Sequence, residues 1–145
     1  MKLLDANLLL YADNRSAPDH ALAYSWLNSA LVGTETLLVP WVTSLAFLRV
    51  MTHPHAVANP LTVTQAMTFI RGLLARPRVI VGEPDREHLD RVEKLLKATG
   101  VGGNLVNDAH LAALALQYDA TVVSFDNDFT RFPGVRWELP TVPPS

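Results

Sequence analysis

Short, wholly apolar runs alternate along this chain with longer segments whose apolar residues recur every three or four positions. The first short run, Met1-Lys2-Leu3-Leu4, ends at Asp5, where the pattern predicts that a buried strand turns into a helix. A polar loop follows from Asp13 to Pro18. From about Asp19 to Val32, Ala23, Trp26, Leu27, Ala30 and Leu31 form one helical face, and Gly33 ends it. Leu37-Leu38-Val39 reads as a second strand stopped by Pro40. A helix then runs from Trp41 to His53 with Trp41, Leu45, Leu48 and Met51 as its apolar stripe, broken by His53-Pro54-His55. Thr62 is the expected N-cap of the next helix, whose face is Ala66, Phe69, Ile70, Leu73 and Leu74 and whose end lies near Arg76-Pro77.

The second half repeats the alternation. Arg78-Val79-Ile80-Val81 predicts a third strand closed by Gly82, and Pro84 in a first-turn position opens a helix with Leu89, Val92, Leu95 and Leu96 as its core face, up to Gly100. The loop Gly100 to Asn104 is glycine-rich but lacks the Lys-Ser/Thr of a phosphate-binding loop. Asp108 to Tyr118 predicts an alanine-rich helix able to lie close to a sheet. Thr121 to Ser124 reads as a fourth strand, Gly134 to Trp137 as a fifth, and Pro140 to Ser145 as a loose tail. Strands alternating with helices predict an α/β fold, a doubly wound sheet of four or five mostly parallel strands in a single domain spanning residues 1–145.

Composition narrows the chemistry. Hydrophobic residues make up 49% of the chain and charged residues 18%, which excludes a disordered chain and fits strands covered on both faces. With no cysteine, disulfides, zinc thiolates and thiol nucleophiles are excluded. No apolar run reaches the roughly 18 residues of a membrane helix, and no signal-peptide core precedes Asp5, so a soluble, cytoplasmic protein is expected. The net charge of −2 supplies no global basic field for nucleic acid, so phosphates would have to be met by local groups or metal ions. His53 and His55 lie in a loop with no other ligand type nearby and read as solvent-exposed histidines rather than a chelate.

The acids are more informative. Asp5 follows the first strand, Asp108 opens a helix, and Asp126 and Asp128 follow the fourth strand. Asp5 alone could be a simple helix cap. If the first and fourth strands are neighbours, however, all four carboxylates converge on one end of the sheet, where open α/β sheets bind ligands. Two like charges about 4 Å apart repel by roughly 4 kcal/mol at an effective dielectric near 20, so the cluster wants a cation. Oxygen-only donors suit Mg²⁺ or Mn²⁺, ions that polarise phosphoryl oxygens and activate water.

On these residues the chain resembles a known family. Leu4-Asp5-Ala6-Asn7, Pro40-Trp41 followed by Phe47-Leu48-Arg49-Val50, the run Gly103 to Ala115 containing Asn107-Asp108-Ala109-His110, and Ser124-Phe125-Asp126-Asn127-Asp128-Phe129 occur in the order seen in PIN-domain ribonucleases. Within that family the chain looks like the VapC toxins of type II toxin–antitoxin systems. The resemblance implies that Asp5, Asp108 and Asp126 hold the metal, that Asp128 assists, and that Asn7 and Ser124 support them by hydrogen bonds. It also implies an RNA substrate, a VapB-type antitoxin that offers an Arg to the carboxylates, and a homodimer, with the helices Trp41 to His53 and Leu61 to Arg76 as its candidate surface.

One position departs from the pattern. Family members carry a Glu just before the Phe-Leu-Arg, and here Ser44-Leu45-Ala46-Phe47-Leu48-Arg49 places Ala46 in that slot, with Arg49 one turn on. Between Asp19 and Glu83 the only acid is Glu35, before the second strand, where it is not expected to reach the site. Ala46 is either a natural weakening of the site or a Glu-to-Ala change that lets a toxic enzyme be produced, and the intact remaining motifs favour the change. A non-catalytic PIN-like module that binds RNA or protein is the alternative. A haloacid-dehalogenase-like phosphatase is disfavoured because Asp5-Ala6-Asn7 lacks its second acid, and a receiver domain because the last lysine is Lys97.

Overall fold

Successive strand residues point to opposite faces of a sheet, so each apolar pair in these strands serves two cores. The computed structural model describes residues 1–141. In it Leu4, Leu37 and Val123 face one core while Leu3, Leu38 and Val122 face the other, all essentially inaccessible to solvent. The strands are β1 (Lys2–Leu4), β2 (Leu37–Leu38), β3 (Val79–Ile80), β4 (Thr121–Val123) and β5 (Trp137–Glu138). They form one sheet in the order β3-β2-β1-β4-β5, with every pairing parallel. The first core is closed by α1 (Ala6–Asp13), α2 (His20–Val32), α3 (Trp41–Met51) and α4 (Val63–Leu74), the second by α5 (His88–Thr99) and α6 (Val106–Tyr118).

The order has a functional consequence. The chain builds leftward from β1 through β2 to β3, then crosses back to place β4 on the other side of β1. β1 and β4 therefore flank the point where the strand order reverses, the crevice in which open parallel sheets take their ligands. The pairing of Leu4 with Val123 puts Asp5 and Ser124 side by side at the carboxyl edge.

Several elements depart from the sequence-based expectation. On α3 the buried residues are Thr43, Ser44, Phe47 and Met51, whereas Trp41 and Leu45 of the expected stripe are exposed. Eight of the eleven residues of this helix are apolar and two of its three polar ones, Thr43 and Ser44, are buried, so periodicity alone could not choose a face. Phe47 decides it by stacking on Phe69 of α4 with ring centroids 4.6 Å apart, and its truncation to Ala would cost about 3–5 kcal/mol. The helix stops at Met51, two residues short of His53, where the His53 N–H bonds to the Val50 carbonyl in a tighter turn ahead of Pro54.

α5 starts at His88 rather than Pro84, because the segment before it is strapped to α6. The Tyr118 hydroxyl accepts from the Glu83 N–H, and Gln117 accepts from the Asp85 N–H while donating to the Glu83 carbonyl. On that helix Leu89 is exposed, and Leu95 is the buried residue. β5 lies at Trp137–Glu138, after the left-handed turn at Gly134, rather than over Gly134 to Trp137. Of the tail expected to be loose, Pro140 is buried and residues 142–145 lie outside the described residues. Thr62 caps α4 as expected, in a reciprocal box with Gln65.

Candidate active site at the carboxyl edge of the sheet

Asp5 is fixed twice. As the N-cap of α1 its Oδ1 accepts from the Ala6 N–H at 2.7 Å, and its Oδ2 accepts from the Ser124 hydroxyl at 2.7 Å. Ser124, fully buried, in turn accepts from Asn7 Nδ2 at 3.0 Å and from the Asp126 N–H at 3.0 Å, and Asn7 Oδ1 accepts from the Phe125 N–H. This web ties the ends of β1 and β4 together and sets the turn that carries the next acids. Asp126 then caps the short 3-10 turn Asn127–Arg131 by accepting from the Asp128 N–H at 2.9 Å, which brings Asp128 back toward the sheet edge. Asp108 enters from the first turn of α6.

Carboxylate oxygens of Asp108, Asp126 and Asp128 lie within 4.8 Å of one another. Asp5 stands beside this trio rather than in it, sharing with Asp108 a cavity of about 360 Å³. Asp108 is thus common to both groupings, and Asp128, expected to assist, belongs to the trio with Asp126. Ala46 and Arg49 of α3 line the same cavity, with Val42, Leu45 and Asn107. Glu35 pairs instead with the Met1 amino group at the opposite end of β1. His53 and His55 are exposed in their loop, where His53 Nδ1 accepts from the His55 N–H.

Sequence reasoning missed two participants. Thr43, buried, donates from its hydroxyl to the Leu4 carbonyl at 2.8 Å and so pins α3 to the end of β1, the contact that aims Ala46 and Arg49 at the acids. Nothing in the spacing of a threonine within an apolar helix signals this. Asn107 lies on the cavity wall, and its place directly before Asp108 was the available clue.

The electrostatics follow from crowding. Asp108 is pushed up to about 7, first by desolvation and then by the charges of Asp126, Asp5 and Asp128. Asp5 is also raised by burial, against the lowering effect of its bonds from Ser124 and Ala6. The arrangement is an oxygen-only, anion-rich pocket that strains against holding all its charges at once, the donor chemistry of a hard divalent cation site.

The PIN domain family matches residues 2–135. The chain is 44% identical over 140 residues to ribonuclease VapC37 of Mycobacterium tuberculosis, covering 97% of both chains, and 34% identical to ribonuclease VapC33 of the same species, covering 97% of this chain and 98% of that one. This chain belongs to the VapC family of PIN domains. The fold agrees: VapBC2 from Rickettsia felis, solved bound to a DNA fragment from its promoter, superposes with a TM-score of 0.68 at 20% identity, covering 95% of this chain and 97% of that one. Against the VapC background, the motif positions at Asp5, Asp108, Asp126 and Asp128 fall around one edge of the sheet, and Ala46 faces that edge from α3. Among the described residues no helix is long and apolar enough to cross a membrane.

Proposed function

We propose that this chain is a divalent-metal-dependent endoribonuclease, the toxin of a type II toxin–antitoxin pair, folded as one PIN unit over residues 1–145. The observation that carries the reading is the convergence of Asp108, Asp126 and Asp128 within 4.8 Å beside Asp5, in a chain so similar to named VapC ribonucleases. Mg²⁺ or Mn²⁺ suits the site, held by Asp108 and Asp126 with Asp5 and Asp128 as the remaining oxygen donors; when bound, such an ion polarises the phosphodiester and activates water. The chain's own groups do the rest. Ser124, Asn7 and the Ala6 N–H hold the Asp5 carboxylate in place. Asp108, raised to about 7, is part-protonated near neutrality in the metal-free chain. Arg49, the one cationic side chain on the cavity wall among the described residues, is placed to neutralise a phosphate oxygen.

The natural partners in this reading are RNA and a VapB-type antitoxin, whose Arg would take the cation's place among the acids, in the cytoplasm. A homodimer belongs to the same reading, and of its candidate surface on α3 and α4 the residues Trp41, Leu45 and Val63 are exposed.

Ala46 supports a second reading, because it leaves the cavity wall facing Asp5 and Asp108 without a further carboxylate. In that reading the chain binds RNA or protein without cleaving it. The test compares the chain as it stands with Ala46→Glu on structured RNA in Mg²⁺ or Mn²⁺, and in cell growth after induction. The nuclease reading expects the Glu form to cleave, to stop in chelator, and to arrest growth unless antitoxin is present. Inactivity of both forms across varied RNAs would favour the binding module.

A further inference from the structure

A site walled by carboxylates repels the polyanion it is to cut, so the strand must be held by groups beside the acids. α3 supplies such groups. Trp41, Leu45 and Arg49 are spaced four apart and lie in one row along the helix. Leu45 and Arg49 line the acid cavity, and all three are exposed, Trp41 at 51% and Leu45 at 61%. The buried face of this helix is spoken for by Thr43, Phe47 and Met51, so the row is not core.

Trp41 is also held in place. Its indole Nε1 donates to Glu83 Oε1 at 3.2 Å, and the backbone of Glu83 is bonded to Tyr118 and Gln117 of α6. An exposed indole with its one polar atom satisfied offers a flat apolar surface without having to be ordered on binding. Resting on the ribonuclease reading, we propose that the Trp41–Leu45–Arg49 row of α3 is the track for single-stranded RNA, with Arg49 on a phosphate at the acid cavity and Trp41 stacking an unpaired base farther along the strand. The two ends are about 12 Å apart along the helix axis, a span of a few nucleotides. An RNA strand fits the row better than a second copy of the chain, which leaves α4 as the candidate dimer surface. The row's cation borders the cavity assigned to the phosphodiester, and its apolar members present the stacking surface that every base can use.

The test measures binding of an end-labelled single-stranded RNA of mixed sequence by fluorescence anisotropy in Mg²⁺, for the chain and for Trp41→Ala, Trp41→Phe, Leu45→Ala, Arg49→Ala and the control Val32→Ala, at an exposed position of α2. Trp41→Ala is expected to weaken binding about tenfold, Trp41→Phe to restore most of it, and Val32→Ala to change nothing. Arg49→Ala should lower the salt dependence of binding by about one phosphate contact. A set of RNAs with a single abasic site moved along the strand adds the decisive comparison: at one position the abasic RNA should bind the chain as weakly as intact RNA binds Trp41→Ala, with no further loss when the two are combined. This comparison reads the stacked base even if Trp41→Ala is less stable, because Trp41→Phe must then show the same positional dependence in weaker form. Equal RNA affinity of the chain and Trp41→Ala would overturn the track while leaving the nuclease reading intact. Absence of RNA binding by every form, together with an inactive Ala46→Glu, would sink the nuclease reading itself. Loss of a dimer in Trp41→Ala by sedimentation, with RNA affinity unchanged, would make the row an interface between copies and overturn the proposal.

Discussion

Replacing Asp108 with Asn tests whether the acids at the sheet edge are crowded as the structure implies. An Asp raised from 3.8 to about 7 is proton-bound in the folded protein where the unfolded chain is already ionised. The unfolded state binds fewer protons across that interval, so metal-free stability falls as the pH rises from about 4 to 7. Fully enclosed, a displacement of that size corresponds to about 4 kcal/mol. Asp108 is only partly buried, and solvent screening reduces the penalty to about 1–2 kcal/mol. Asn removes the penalty with little change of shape. For 145 residues the unfolding entropy is about 0.3 kcal/mol/K, so Asp108→Asn should melt about 3–7 °C above the parent at pH 8 in chelator. At pH 5, where the folded carboxyl is neutral but the unfolded one has begun to ionise, the difference should shrink to about 40% of its value at pH 8, and at pH 3 the two should melt together. Added Mn²⁺ should reverse the ranking at pH 8, raising the parent and not the variant. The reasoning fails if Asp108→Asn is no more stable than the parent at pH 8 without metal, or if its advantage persists unchanged at pH 5.

Ser124→Ala should cost about 1.5–3 kcal/mol in urea unfolding, because the buried hydroxyl serves Asp5, Asn7 and the Asp126 N–H at once; a loss below about 0.5 kcal/mol would show that the web does not hold the strand ends together. Gly82→Ala should lower the melting temperature by the equivalent of about 1–3 kcal/mol, since its φ of +72° is left-handed and an added Cβ would sit 2.5 Å from Leu38 Cδ1; an unchanged melt would refute the steric argument. His88 Nε2 and His110 Nδ1 lie 2.7 Å apart, and burial lowers both residues below the usual histidine range. Their contribution is therefore present above about pH 6.5 and lost as the pH falls through their folded values, so in the Asp108→Asn background His88→Phe should flatten the stability profile on the acid side of pH 6.5.

The short apolar runs and period-3.6 helices of the sequence were enough to determine the class of fold, because alternation of short buried runs with amphipathic segments admits few solutions other than a parallel sheet covered on both faces. The site acids were legible for a similar reason: Asp5, Asp108 and Asp126 stand at strand ends and helix starts, and those places converge whenever β1 and β4 pair. The motif resemblance singled out Ala46, which no periodicity could have done. What the sequence left open were choices among equivalent local patterns. Most side chains of α3 could have faced the core, and the stacking of Phe47 on Phe69, 22 residues farther along on the next helix, turned Trp41 and Leu45 outward. The start of α5 was decided by Tyr118 and Gln117, more than 30 residues farther along the chain. The grouping of Asp128 with Asp108, with Asp5 beside them, depends on one backbone N–H bonding to Asp126 in a 3-10 turn. Local sequence sets which conformations are cheap, but contacts between distant segments select among those of nearly equal cost, and at this protein's sheet edge they determined which side chains meet.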